Sequence, residues 1–136
     1  QETAQDHPGR CFAVYAKPGD IVIVPPGWAH ATIVADITQN LTFGAWCVRD
    51  YGFDYDEVRA HKGVAWFPIV NENRIDFIAN QFYQKSQLIV KEPRIYEEFG
   101  IRKGIPIYQQ FVENPDLFLF VSQPQLAKEK WENFIP

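Results

Sequence analysis

His30 is the residue best placed to do chemistry. It closes the string Gly19-Asp20-Ile21-Val22-Ile23-Val24-Pro25-Pro26-Gly27-Trp28-Ala29-His30. Lys17-Pro18-Gly19 turns the chain, four β-branched residues at 21–24 favour a strand, and Pro25-Pro26-Gly27 turns it again. Proline fixes φ and glycine permits a backbone angle that other residues resist, so the second turn delivers a new strand over 29–34. Side chains alternate faces along a strand, so a histidine near its start sits on rigid backbone and is aimed to one side. A metal ligand needs that placement. The plainer alternative is a histidine with a satisfied hydrogen bond and no other task. One imidazole does not hold a divalent cation, so any further donors must come from elsewhere. His7 and His61 fall in no such setting and read as surface histidines.

The remaining sequence must position that residue. The chain has 136 residues, 46% hydrophobic and 15% aromatic, which suits one folded domain with a sizeable core. A net charge of −4 leaves no basic footprint for nucleic acid or an anionic membrane. The absence of a long apolar run argues against a membrane span or a signal peptide, so a cytoplasmic protein is the default expectation. Cys11 and Cys47 lie in apolar, strand-like runs and read as buried free thiols, with a disulfide between them left open. No Gly-x-Gly-x-x-Gly, Walker loop, Cys-x-x-Cys, His-Glu-x-x-His or Gly-x-Ser-x-Gly occurs, which removes nucleotide-binding, zinc-ribbon and serine-hydrolase readings.

In chain order, residues 1–10 read as irregular and 11–17 as a strand. Strands follow at 29–34 and 41–48, the latter with Leu41, Phe43, Ala45 and Cys47 on one face. Asp54 and Glu57 have the spacing of a capping box, starting a short helix that Gly63 ends, with Tyr55 in its first turn. Residues 64–70 and 75–83 form a hairpin around a four-residue loop at 71–74, with Pro68 demanding an edge or a bulge. A strand at 87–91, a helical turn from Pro93 to Gly100, a buried strand at 117–121 and a helix over 124–134 complete the prediction.

The opening string resembles the second motif of the cupins, Gly-x5-Pro-x-Gly-x2-His-x3-Asn. Gly19, Pro25, Gly27 and His30 match it, while Val34 stands where the asparagine belongs. The fuller run Val24-Pro25-Pro26-Gly27-Trp28-Ala29-His30 is similar to the cupin-type glucose-6-phosphate isomerases. That resemblance implies an all-β double-stranded jelly roll in which His30 is a metal ligand. The cation would be iron, manganese, nickel or zinc, polarising the C1 and C2 oxygens of an open-chain sugar phosphate for transfer by an enediol or a hydride shift. Gly52-Phe53-Asp54-Tyr55 resembles a Gly-His-Asp-Tyr segment of the family, which makes Tyr55 the candidate catalytic residue; Phe53 replaces the histidine. The family's first motif, two histidines and a glutamate, is not found here.

The expectations are therefore these. Residues 1–55 form the C-terminal part of a cupin barrel, and 56–136 form an extension packing on it in the same domain. An N-terminal half of the barrel supplies the remaining ligands and the base, and a homodimer forms. The activity is interconversion of glucose 6-phosphate and fructose 6-phosphate. A non-catalytic sugar-binding or structural cupin is the alternative, favoured by Val34, Phe53 and the missing first motif. A metal-dependent oxygenase on the same barrel is a third reading.

Overall fold

The computed structural model describes all residues, 1–136. Its strands are β1 (Cys11–Val14), β2 (Trp66–Asn71), β3 (Arg74–Ala79) and β4 (Leu88–Lys91), and its α-helices are α1 (Asp56–Ala60), α2 (Ile107–Glu113), α3 (Leu119–Ser122) and α4 (Lys128–Trp131). Short 3-10 turns occupy Glu97–Phe99, Pro115–Phe118 and Pro124–Ala127. β1 pairs with β4, and β2 with β3, in two separate two-stranded sheets. No helix is long and apolar enough to cross a membrane. Short strands and short helices together make a mixed architecture, against the all-β expectation, though the strands are compatible with a small cupin-like domain.

The chain divides into two compact units. The first comprises Gln1–Ala13, Gly27–Gly44 and Gly52–Lys91; the second comprises Val14–Pro26, Ala45–Tyr51 and Glu92–Pro136. The first unit has a thin core of Cys11, Ala65 and Tyr83, with Trp66 and Leu88 packed against it. The second has a larger, aromatic one: Tyr96, Phe99, Ile101, Phe118, Ala127 and Phe134, flanked by Phe111, Phe120 and Trp131 among others. The aromatic weight of the C-terminal residues thus goes into a core of their own.

The β2–β3 hairpin forms at the expected place with a shorter loop. Asn71 pairs with Arg74, leaving Glu72 and Asn73 as a two-residue turn at φ 48° and 74°. Positive φ at both central positions is the turn that matches strand twist. Pro68 pairs in register with Phe77, and each strand of a two-stranded sheet has a free edge on which its missing N–H costs nothing. The first helix starts two residues after Asp54, whose carboxylate accepts the Asp56 N–H at 3.0 Å, and Tyr55 takes the N-cap position without a side-chain cap.

Three expected strands are absent. Residues 21–24, 29–34 and 41–48 stay outside any sheet, because a β-branched run becomes a strand only beside a partner, and no other segment of these residues supplies one. The period of two survives at 21–24: Ile21 and Ile23 pack on the aromatic core while Val22 and Val24 are exposed. The Ile23 N–H, which a ladder would have used, donates to the Tyr96 hydroxyl at 3.2 Å. Residues 117–121 are helical, since Pro115 takes an early position of the 3-10 turn and the apolar run then packs at helical spacing. The expected helix over 124–134 is shorter and broken, a 3-10 turn running into α4. Both cysteines are free, Cys11 buried as expected and Cys47 exposed against expectation.

Candidate functional site

The Pro-Pro-Gly turn is built as its residue types demand. Gly27 has φ 79°, a left-handed angle that a side chain would resist. Ala29 is pinned immediately beyond it: its N–H donates to the Gln1 carbonyl at 3.0 Å, and Gln1 N donates back to the Ala29 carbonyl at 2.8 Å. This reciprocal pair does the work expected of a strand, fixing the backbone next to His30. The His30 side chain itself is exposed.

Trp28 stacks on Phe12, centroids 5.8 Å apart and planes 12° from parallel. The Arg10 guanidinium lies 5.7 Å from the Trp28 ring and is paired with Glu2, Nε and Nη2 donating to Oε1 at 2.9 and 2.6 Å. The side-chain bond from Arg10 holds the Glu2 carboxyl below its usual range. Lys91 reaches over the other ring of the stack, 5.9 Å from the Phe12 centroid. The string thus carries a cationic and aromatic surround, with one cation already neutralised by Glu2.

Tyr55 is half exposed, 50%, at the start of α1. The Arg59 guanidinium sits 5.1 Å from its ring, and Phe53 is 6.1 Å away. No hydrogen bond or ring contact joins Tyr55 to His30, so the structure does not bring the two candidate residues together. No group of three or more His, Cys, Asp or Glu is arranged to hold a metal ion. A single exposed imidazole is one donor, and the residues of this chain do not by themselves make a cation site.

His61, expected at the surface, is buried at 6% exposure. Its Nδ1 lies 2.7 Å from the Glu57 carbonyl and its Nε2 2.9 Å from Asp6 Oδ1. The ring stacks on Tyr83 at 4.2 Å, and Tyr83 donates to the Gly63 carbonyl at 3.0 Å. The hydrogen bonds to Glu57 and then to Asp6 push the imidazole pKa above its ordinary value of 6.5. Sequence reading missed this cluster because Asp6 and His61 lie 55 residues apart and no local pattern links them. His7 is exposed, as expected, and its Nδ1 accepts the Gly9 N–H at 3.2 Å.

Known proteins add one finding. A model of the glucose-6-phosphate isomerase family matches residues 10–86. No curated protein and no solved structure matches the chain. The matched span is more than half of the chain and contains the whole Gly19-to-His30 string, its left-handed Gly27 turn and the Tyr55 segment. By that match this chain belongs to the cupin-type glucose-6-phosphate isomerase family.

Proposed function

We propose that the protein acts in an aldose–ketose isomerase that interconverts glucose 6-phosphate and fructose 6-phosphate. The family match over residues 10–86 carries this reading. It is supported by the turn that holds Ala29 by two backbone bonds and leaves the neighbouring His30 imidazole open to a partner. In this reading His30 is one donor to a divalent cation whose other donors lie outside these residues, together with an N-terminal barrel half and a second subunit. Tyr55, half exposed beside Arg59, presents its phenol to the sugar; its hydroxyl both donates and accepts, as sugar hydroxyls require. Moving a hydrogen between C2 and C1 needs proton exchange at the sugar oxygens, for which Tyr55 is the candidate in this chain, while the base lies outside these residues.

The alternative, a sugar-binding or structural cupin without turnover, is favoured by one observation: Phe53 stands where the family's Gly-His-Asp-Tyr segment has its histidine. An isomerase assay and metal analysis on the full-length gene product separate the two. Turnover with stoichiometric metal, both lost in His30→Ala with the fold kept, supports the isomerase. A well-folded full-length protein with no turnover overturns the isomerase reading, and metal content unchanged in His30→Ala overturns the assignment of His30.

A further inference from the structure

The cluster around His61 has no place in the reading above. Both ring nitrogens face oxygens, the Glu57 carbonyl at 2.7 Å and the Asp6 carboxylate at 2.9 Å. A carbonyl and an ionised carboxylate only accept, so both nitrogens must carry protons. In the neutral ring one lone pair would face an oxygen, and that bond would become a repulsion. The arrangement therefore selects the imidazolium.

Asp6 belongs to residues 1–9, which run between two parts of the first unit. Gln84 N donates to the Asp6 carbonyl at 2.8 Å, Ala65 N donates to Gln1 Oε1 at 2.6 Å, and Pro8 is fully buried. At the far end Gln1 makes the reciprocal backbone pair with Ala29, one residue before His30. Apart from the His61–Asp6 contact, the Glu2–Arg10 pair and the Gln1 ammonium, whose pKa burial holds below its ordinary value of 8.0, these anchors are neutral. The other titratable or charged groups near the ring are Glu57 on α1, Tyr83 stacked beneath with the Gln1 ammonium and Cys11 beside it, His7 next to Asp6, and Lys62, whose Nζ lies over Phe82 at 4.5 Å. The nearby carboxylates favour the cation, and Lys62 is drawn to a different ring.

We propose that residues 1–9 are a strap latched by the His61 imidazolium through Asp6, docked when the ring is charged and loosened when it is neutral, and that the strap positions the Ala29–His30 segment. The last clause rests on the proposed role of His30; the latch does not. His61 is a positioning residue here, acting on His30 through Asp6, Gln1 and Ala29.

Amide exchange on the full chain tests it, read at Gln84, Ala65 and Ala29 between about pH 5.5 and about pH 8.5 and corrected for intrinsic rate. Docking strengthens about tenfold for each pH unit by which the docked His61 pKa exceeds its released value, so protection at all three amides falls as pH rises through the titration of His61, followed by NMR. The Asn80 N–H, bonded to the Ala65 carbonyl, is the reference that holds steady. Asp6→Asn keeps an acceptor for the cation and adds a donor for the neutral ring, so it flattens the pH dependence with the strap docked. Exchange at Ala29 and Gln84 that ignores the titration of His61, or a pH dependence unchanged in Asp6→Asn, overturns the latch. Isomerase activity is scored separately on the full-length gene product: pH-linked exchange with no turnover there keeps the latch and sinks the catalytic reading.

Discussion

The two units are held together by different physics. In the second, rings pack on rings: Tyr96 stacks on Phe134 at 5.7 Å, and Phe99 lies tilted against Trp131 at 4.8 Å and Phe120 at 4.7 Å. In the first, the buried apolar cluster has only three members, and cohesion comes from polar side chains that tie loops to one another: Asn80, His61, and Glu2 with Arg10. Aromatic burial is insensitive to pH and to the loss of any single hydrogen bond. A thin core stitched by hydrogen bonds is sensitive to both. The candidate site residues His30 and Tyr55 sit in the thin-core unit, where local opening costs less.

The strongest way to break this contrast is Phe99→Ala. The ring is buried at the centre of the aromatic cluster, and removing it should cost about 3–5 kcal/mol. Denaturant unfolding followed by tryptophan fluorescence is the measurement, with Trp46 and Trp131 in the second unit and Trp28 and Trp66 in the first. Selective loss of the second unit's transition supports separate cores, and equal loss of both transitions would show one cooperative body.

A smaller effect tests what the units share. Gln110 is fully buried and closes the loop at 102–105: its oxygen accepts the Arg102 N–H at 2.8 Å, and its nitrogen donates to the Arg102 and Ile105 carbonyls at 3.0 and 2.7 Å. Asn80 does the same in the first unit, donating to the His61 and Val64 carbonyls and accepting the Phe82 N–H. Gln110→Leu and Asn80→Leu each strand buried backbone groups, and each should cost about 2–3 kcal/mol. If the thin core is the weaker one, Asn80→Leu abolishes its unit's folding in mild denaturant while Gln110→Leu leaves the aromatic unit folded.

These buried amides also mark the limit of what the sequence makes legible. Turn-forming residues act locally, so the Pro25-Pro26-Gly27 turn, a hairpin turn somewhere within 71–74 and the Gly100 stop were readable. The string around His30 was readable as chemistry for the same reason. Strands at 21–24, 29–34 and 41–48 were not, because pairing is a property of two segments and the alternation of Ile21 and Ile23 with Val22 and Val24 reports only one of them. The apolar run at 117–121 fits strand or helix equally until Pro115 and the aromatic core decide it. His61 was misread because its burial depends on Asp6 and Tyr83, and nothing near His61 in the chain announces either.

The comparison sharpens with pH. Glu2 in the first unit and Glu98 and Glu113 in the second all have carboxyls held below their usual range by hydrogen bonds from Arg10, Arg94 and Arg102. A lowered carboxyl pKa gives stability that is present above the unfolded value and lost as pH falls through the folded one, so both units weaken in acid. His61 has the opposite sign. Its raised pKa gives stability that is complete below 6.5 and lost as pH rises through the folded value. Below the tyrosine range, His61 should therefore weaken only the first unit on the alkaline side, offset in part by the Gln1 amine of the same unit, whose pKa burial lowers. Thermal unfolding at stepped pH measures this, and an equal alkaline loss in the second unit would remove His61 as its cause.

The smallest effect lies at the end of α1. Lys62 N donates to the Arg59 carbonyl at 3.0 Å and Gly63 N to the Val58 carbonyl at 2.8 Å, closing the helix with Lys62 left-handed at φ 58°. Glycine takes that angle freely, so relief of backbone strain should contribute about 1 kcal/mol. Against it stands the ammonium over Phe82 at 4.5 Å, which at an exposed ring contributes about 0.5 kcal/mol. Lys62→Gly should then stabilise the first unit by about 0.5 kcal/mol net. Lys62→Ala separates the two, since alanine keeps the strained angle and loses the cation, and should destabilise by about 0.5 kcal/mol. Chemical denaturation of both variants gives the order glycine, lysine, alanine from most to least stable. Alanine equal to glycine would mean the left-handed angle carries no strain here, and that the His61 backbone is set by the Asn80 bond to its carbonyl rather than by the helix end.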